Sequence, residues 1–358
     1  MSGLARTTLR LGTSDADLAR AAELLRAGGL VALPTETVYG LAVRADDPGA
    51  VASLFAAKDR PADNPLIVHV ATIDDVLGVA LELTPLARVL LERLAPGPVT
   101  VVLPARDDLP RAVTGGLDTV AVRIPDHPVM REVLTRCALP LAAPSANRSG
   151  RPSPTRAEHV VADLDGRIDA VVDAGPTRVG VESTVIDACG PTWRVLREGG
   201  LGREAIAAAL AGTGFAPSDV SEAGDAADVD GPAASPGTRH RHYAPSLPVH
   251  LARPGDGMTR ASGLAARLVA DVPDARVGLV AAGAVAPPPG VQVLATPPDA
   301  AALATDLFAL LRTAEEVGVT ALVVEAVREE GVGRAVMDRL RRAVSASGGT
   351  DATSTRTT

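Results

Sequence analysis

From Leu11 to Leu210 the chain alternates short apolar, β-rich runs with segments whose apolar residues recur every three or four positions. That alternation restricts the region to an α/β domain built around a large sheet. The runs Leu30–Leu33, Leu66–Val70, Val99–Leu103, Val120–Ile124, Leu139–Ala143, Ala170–Asp173, Ser183–Asp187 and Trp193–Leu196 read as strands. Ser14 is placed to cap a helix through Leu18, Ala21 and Leu25 that stops at Gly28 and Gly29, and Thr155 with Glu158 reads as a capping box opening another. At Ala211 the texture changes to an acidic, small-residue stretch without periodicity, running to about Gly237, which reads as a flexible linker. A second α/β unit follows. Its strands are expected at Val277–Val280, Val291–Leu294 and Ala321–Val324, its helices at Ala300–Val317 and Arg334–Val344, and the residues after Ser345 are expected to fray.

With 358 residues, 46% of them hydrophobic, the chain can bury cores for two domains. Its net charge of −8 argues against a broad basic surface that coats nucleic acid or an anionic membrane. The two cysteines, Cys137 and Cys189, form no CxxC pair and no disulfide framework, so a reducing cytoplasmic compartment is expected, with both packed as apolar residues. The first residues lack the apolar core of a secretory signal, and no stretch is long and apolar enough to span a bilayer, so no membrane partner is expected. One asymmetry stands out: of 35 Lys and Arg residues, Lys58 alone is a lysine. A lysine that survives so strong a bias towards arginine is a candidate for a position that arginine cannot fill.

Several segments concentrate chemistry. Pro34-Thr35-Glu36-Thr37-Val38-Tyr39-Gly40-Leu41 sets hydroxyls, a carboxylate and a phenol directly after a strand, as a ligand-binding mouth or as an ordinary capped turn. Lys58-Asp59-Arg60, followed by Asn64 and, beyond a short strand, His69, can present two cations to one anion, or can be a solvated loop. Ala143-Pro144-Ser145-Ala146-Asn147 leads through Ser153 into a helix start, an arrangement that offers donors to phosphate or ribose, or is a Ser/Pro-rich connector. Thr119 with Arg123, Glu182-Ser183 and Arg197-Glu198-Gly199-Gly200 are weaker signals singly. Ser235–Pro245, basic and carrying Tyr243, has the character of a lid over a polyanion, while His240 and His242 lack the companions a metal site needs. Gly331-Val332-Gly333 fits close helix–strand packing better than dinucleotide binding. Walker A, GxSxG and HExxH patterns are all absent from the sequence.

Taken in order, PTETVYGL, KDRPADNPLIVH, APGPVTVVLPA, VAVRIPDHP, AAPSANRSGRPSPT, GVESTVID and SPGTRHRHYAP closely resemble the Sua5/YrdC family in its longer Sua5 form. The resemblance implies a large twisted-sheet YrdC-like domain over residues 11–210, a linker with a basic, aromatic lid segment over 211–247, and a smaller Rossmann-like α/β Sua5 domain over 248–345. It implies L-threonylcarbamoyladenylate synthesis: L-threonine, bicarbonate and ATP give threonylcarbamoyl-AMP and pyrophosphate, for modification of tRNA adenosine 37. By the same resemblance, Thr37, His69, Arg123, Ala143 and Ser183 line the threonine side. Arg60, Asn64, Thr119, Ser145, Ser153, Arg197 and Tyr243 face ATP, and Lys58, Arg60 and Arg123 are the expected catalytic cations. Mg²⁺ is expected with ATP, with no organic cofactor and no metal ligands assignable from the sequence. A downstream threonylcarbamoyl-transfer complex is the expected partner, and tRNA contact is expected to be indirect or weak.

Two departures from the family pattern are Asp59, where Gly or Arg is usual, and Glu198-Gly199-Gly200, where Pro-Gly usually follows the arginine. Two other functions fit parts of the sequence. One is carbamoyl-adenylate formation, which YrdC-type domains perform within larger proteins that carry zinc-finger regions. The other is an RNA-binding module without catalysis, which the acidic balance and scarce aromatics oppose.

Overall fold

The computed structural model describes residues 7–61, 63–218, 245–254, 258–272, 274–283 and 287–353. The chain divides into two compact units, the second of which takes Gly150–Pro152 together with the carboxyl-terminal residues.

In the first unit, β1 (Leu9–Leu11) leads to α1 (Asp15–Arg26), whose Ser14 cap accepts a hydrogen bond from the Asp17 N–H at 3.2 Å. β2 (Val31–Leu33), β3 (Gly40–Arg44), α2 (Pro48–Lys58) and β4 (Ile67–His69) follow, then α3 (Pro85–Leu94), β5 (Val99–Pro104), the short α4 (Arg111–Thr114) and β6 (Thr119–Arg123). α5 (Pro128–Cys137), β7 (Leu141–Ala142), α6 (Ala157–Leu164), β8 (Ala170–Val172), β9 (Thr184–Asp187), β10 (Arg194–Arg197) and α7 (Arg203–Leu210) complete it. The strands make one mixed 10-stranded sheet in the order β1-β8-β2-β3-β7-β4-β6-β5-β9-β10. Alternation along the strands divides the sheet's two faces. Val120 and Val122 of β6 enter the main core with Leu66, Val68, Val101 and Leu103, while Ala121 turns to a small cluster with Ile67, Val102 and Val185.

Three sequence expectations change here. β1 and β3 join the strands read from the sequence; β3 hides its character behind Gly40 and Ala42, which have little β propensity, although Gly40–Val43 are all buried. The Thr155–Glu158 capping box does not form. α6 starts at Ala157 after Arg156 with no side-chain cap, and the Thr155 N–H instead donates to His159 Nδ1 at 3.2 Å. Ala211–Ser218 is held by hydrogen bonds, because the Trp193 N–H donates to Ala216 O at 3.1 Å and the Ser218 N–H donates to Trp193 O at 2.8 Å.

The second unit contains β11 (Val249–Ala252), α8 (Met258–Asp271), β12 (Val277–Val280), β13 (Val291–Ala295), α9 (Ala300–Glu316), β14 (Ala321–Glu325) and α10 (Gly333–Ser347). All pairings in its 4-stranded sheet, ordered β11-β14-β12-β13, are parallel. Ala252, Ala261, Ala265, Leu279 and Val323 pack its core. β11 and α8 add to the elements read from the sequence. Over residues 346–353 the expected fraying is not seen: Leu251 N–H donates to Thr350 O at 2.8 Å and Ala352 N–H to Leu251 O at 3.1 Å. Gly349 permits this, since a Cβ there would lie 1.7 Å from Val249 O.

Candidate functional site

The Thr35–Tyr39 loop between β2 and β3 is a junction rather than a free turn. Thr35 Oγ1 accepts from the N–H groups of Thr37 and Val38 at 3.1 and 3.2 Å, which curls the loop, and lies 2.7 Å from Thr37 Oγ1. The loop backbone is then stitched to distant segments. Val179 and Gly180 donate to Glu36 O and Thr37 O at 2.8 and 3.1 Å, Tyr39 N–H donates to Pro154 O at 2.8 Å, and Ala146 N–H donates to Tyr39 O at 2.8 Å. Tyr39 is fully buried, its hydroxyl donating to Gly175 O at 2.7 Å, and burial pushes its phenol pKa up. Folding thus brings the PTETVYGL, SANRSG and GVEST segments to one place.

Strand β6 runs beneath this junction with Thr119, Ala121 and Arg123 on one face, about 13 Å from end to end at strand rise. At its far end Arg123 lies opposite His69 of the parallel β4. The Arg123 guanidinium Nη2 is 2.7 Å from Glu36 Oε1, with side-chain exposures of 5% and 1%, and Nε donates to Gly97 O at 3.4 Å. Ser183, also buried, lies 2.7 Å from Thr100 Oγ1 and receives Arg197: Nη2 donates to Ser183 O at 2.9 Å and to Ser183 Oγ at 3.3 Å. Ser153 Oγ donates to Glu182 Oε1 at 2.7 Å. Ala143, beyond β7, donates its N–H to Ile67 O at 2.9 Å.

The near end of β4 and β6 holds Arg60, Asn64 and Thr119. Arg60 Nη2 donates to Pro65 O at 2.9 Å and to Asn64 O at 3.3 Å, and Asn64 is buried. Between the two ends, Ile67, Val102, Ala121 and Val185 form an apolar floor.

Lys58, expected as a catalytic cation beside Arg60, is buried in this structure. At the last position of α2 and 1% exposed, it donates Nζ hydrogen bonds to Ser145 O at 2.5 Å and to Asn147 O, while its own carbonyl accepts from Ser149 N–H at 2.9 Å. Lys58 thus ties the end of α2 to the Ser145–Asn147 turn. Burial, with the charge of Arg60, holds its ammonium well below the usual lysine range. Asp59 is the left-handed residue that ends α2, at φ 51°, a conformation Asp tolerates, and its carboxylate joins Arg148 at 2.6 Å and Arg167 at 3.1 Å. At the second departure from the family pattern, Gly199 lies hard against the β9 entry: a Cβ there would meet the Ser183 carbonyl carbon at 2.2 Å. Glu198 pairs with Arg203.

Tyr243, with His240 and His242, lies outside the described residues. Glu36, Asn147, Glu182 and Thr100 are neighbours that sequence reasoning left without a role. Each falls inside a quoted motif, but nothing in a one-dimensional pattern tells which motif side chains turn inward. Among the described residues no group of three or more His, Cys, Asp or Glu side chains converges as a metal site would, and no helix is long and apolar enough to cross a membrane.

Burial and the neighbouring Arg123 charge hold the His69 pKa down, to about 3. His69 is then neutral at pH 7. Because the unfolded chain takes up this proton near pH 6.5 and the folded chain does not, stability falls as pH drops from 6.5 towards 3, by about 1.4 kcal/mol per pH unit. Above pH 6.5 the residue contributes no pH dependence. Urea midpoints of the parent chain and His69→Phe between pH 4 and 7 should show a shallower acid limb in the variant; parallel limbs would contradict the assignment.

A family model for Sua5, YciO and YrdC proteins, described as telomere recombination, matches residues 23–199, and one described as the threonylcarbamoyl-AMP synthase C-terminal domain matches 202–345. A Pyrococcus abyssi protein named threonylcarbamoyl-AMP synthase is 42% identical, over 90% of this chain and 92% of its own. The chain belongs to the Sua5/YrdC family. A Bacillus subtilis protein of the same name is 39% identical over 94% of this chain and 95% of its own. The crystal structure of P. abyssi Sua5 complexed with L-threonine superposes with a TM-score of 0.85 at 39% identity, covering 96% of this chain and 99% of that one. The two-domain Sua5 architecture thus extends over nearly the whole molecule.

Proposed function

We propose that this chain is a threonylcarbamoyl-AMP synthase that converts L-threonine, bicarbonate and ATP into threonylcarbamoyl-AMP, pyrophosphate and water, supplying the group placed on tRNA adenosine 37. The observation that carries this reading is the gathering of Thr37, His69, Arg123 and Ser183 at one end of an apolar strip whose other end holds Arg60, Asn64 and Thr119. An amino acid and a nucleotide bound along that strip meet in its middle. The amine of threonine captures the carbon of bicarbonate as a carbamate, whose oxygen attacks the α-phosphorus as the bond to pyrophosphate breaks. No protein nucleophile is needed. The obstacle is the approach of one anion to another, which Arg60, Arg123 and Arg197 offset by charge and by alignment. Lys58 acts one step back, by fixing the turn that carries Ser145.

Mg²⁺ enters in this reading as part of the ATP substrate, neutralising phosphate charge. The chain's site is rich in arginine and lacks a carboxylate cage among the described residues, which suits a metal carried by phosphates. Downstream, the adenylate requires a group-transfer machinery that delivers it to tRNA. Incubation with labelled bicarbonate, ATP and L-threonine should give a labelled adenylate that contains threonine. Label in an adenylate without threonine would instead support carbamoyl-adenylate formation.

A further inference from the structure

Glu36 is 1% exposed, and although Oε1 faces Arg123 at 2.7 Å, Oε2 has no hydrogen-bond partner among the described residues. A buried carboxylate oxygen without a donor is costly, and such a group in a native site calls for a missing partner. We propose that Glu36 Oε2 receives the ammonium group of the amino-acid substrate, making Glu36 a binding residue that selects for an α-amine; this rests on the threonine reading above.

The chemistry of the surroundings narrows the partner. Bicarbonate and phosphate are anions and are repelled by a carboxylate. A divalent metal needs several oxygen ligands, and among the described residues Glu36 belongs to no group of three or more His, Cys, Asp or Glu side chains that could hold one. An ammonium supplies one positive charge and directed N–H donors, which matches one vacant oxygen beside a carboxylate already half-neutralised by Arg123. The position fits as well. Glu36 immediately precedes Thr37, its own carbonyl is fixed by Val179 N–H, and its Arg123 partner lies in register with His69. A zwitterionic amino acid placed there sets its ammonium against Glu36 and its carboxylate towards Arg123. The loop has to part to admit it, after which the ion pair sits away from water, where it is stronger.

The test compares L-threonine with its deaminated analogue (2S,3R)-2,3-dihydroxybutyrate, by calorimetry on the full chain, for the parent protein and for Glu36→Gln. The parent should prefer threonine, and Glu36→Gln should lose at least tenfold of that preference while its affinity for the analogue holds. An unchanged preference ratio in a folded Glu36→Gln would overturn the proposal and leave Glu36 as a support for Arg123. Should that variant not fold, Glu36→Asp, which keeps the charge but withdraws the oxygen by one methylene, reads the same ratio: a reduced preference supports the assignment and an unchanged one overturns it. A parent protein that binds no threonine at all would instead refute the function on which this inference rests.

Discussion

Arg123→Ala should lower threonine-dependent pyrophosphate release by about 10²–10³-fold, the loss typical of removing one preorganised charge-stabilising group. The residue has three neighbours whose state depends on it. Glu36 faces its guanidinium at 2.7 Å, Gly97 accepts from Nε, and His69 lies opposite on β4. Removing the guanidinium leaves the Glu36 carboxylate buried without a counter-charge, which costs about 3–5 kcal/mol when one member of a buried pair is lost. Arg123→Lys separates catalysis from folding, because it keeps the charge and gives up the planar fork. It should remain folded with turnover well below the parent value. Parent-like turnover in Arg123→Ala would remove this residue from the reaction.

The second large effect is expected at Lys58, and it is expected on geometry rather than on charge at the reacting atoms. Lys58→Met has a comparable length and no donor, so the carbonyls of Ser145 and Asn147 lose their partner inside the fold. At about 1–3 kcal/mol for each buried group left unsatisfied, the variant should be strongly destabilised. Lys58→Arg tests the alternative that any cation suffices. The site is nearly closed to solvent, so a bulkier guanidinium must displace the Ser145–Asn147 turn, and overpacking of this kind costs about 1–3 kcal/mol. The KM for ATP should rise in Lys58→Arg with little change in the KM for threonine. Unchanged kinetics would make the lone lysine an accident of composition.

How much of this could be read from the chain alone depends on where the information sits. The polar loop after β2, the Lys58–Arg60 pair and the Ser145–Asn147 turn are compact in sequence, so their chemistry stands out, and hydrogen bonds join the turn to Lys58 and to the loop. Lys58 shows the limit. Its rarity singles it out, yet a pattern cannot say whether an ammonium faces ligand or backbone, and Ser145 and Asn147 are remote in sequence. Glu36 shows the converse. It stood inside a quoted motif without a role, because its significance arises from an arginine on another strand and from one oxygen with no donor among the described residues. β3 and β11 escaped notice for a more local reason: neighbouring strands rather than their own propensity hold them in place. Thr350 and Ala352, in a stretch expected to fray, are bound along β11 by backbone hydrogen bonds that no side-chain pattern announces.

On the proposed reading threonine, rather than water or another amino acid, drives the breakdown of ATP to an adenylate and pyrophosphate. Its most direct test is pyrophosphate release by the full chain from MgATP and bicarbonate, measured with L-threonine, with L-serine and with no amino acid. Release should depend on L-threonine and be much weaker with L-serine. Release at the same rate without any amino acid would contradict it.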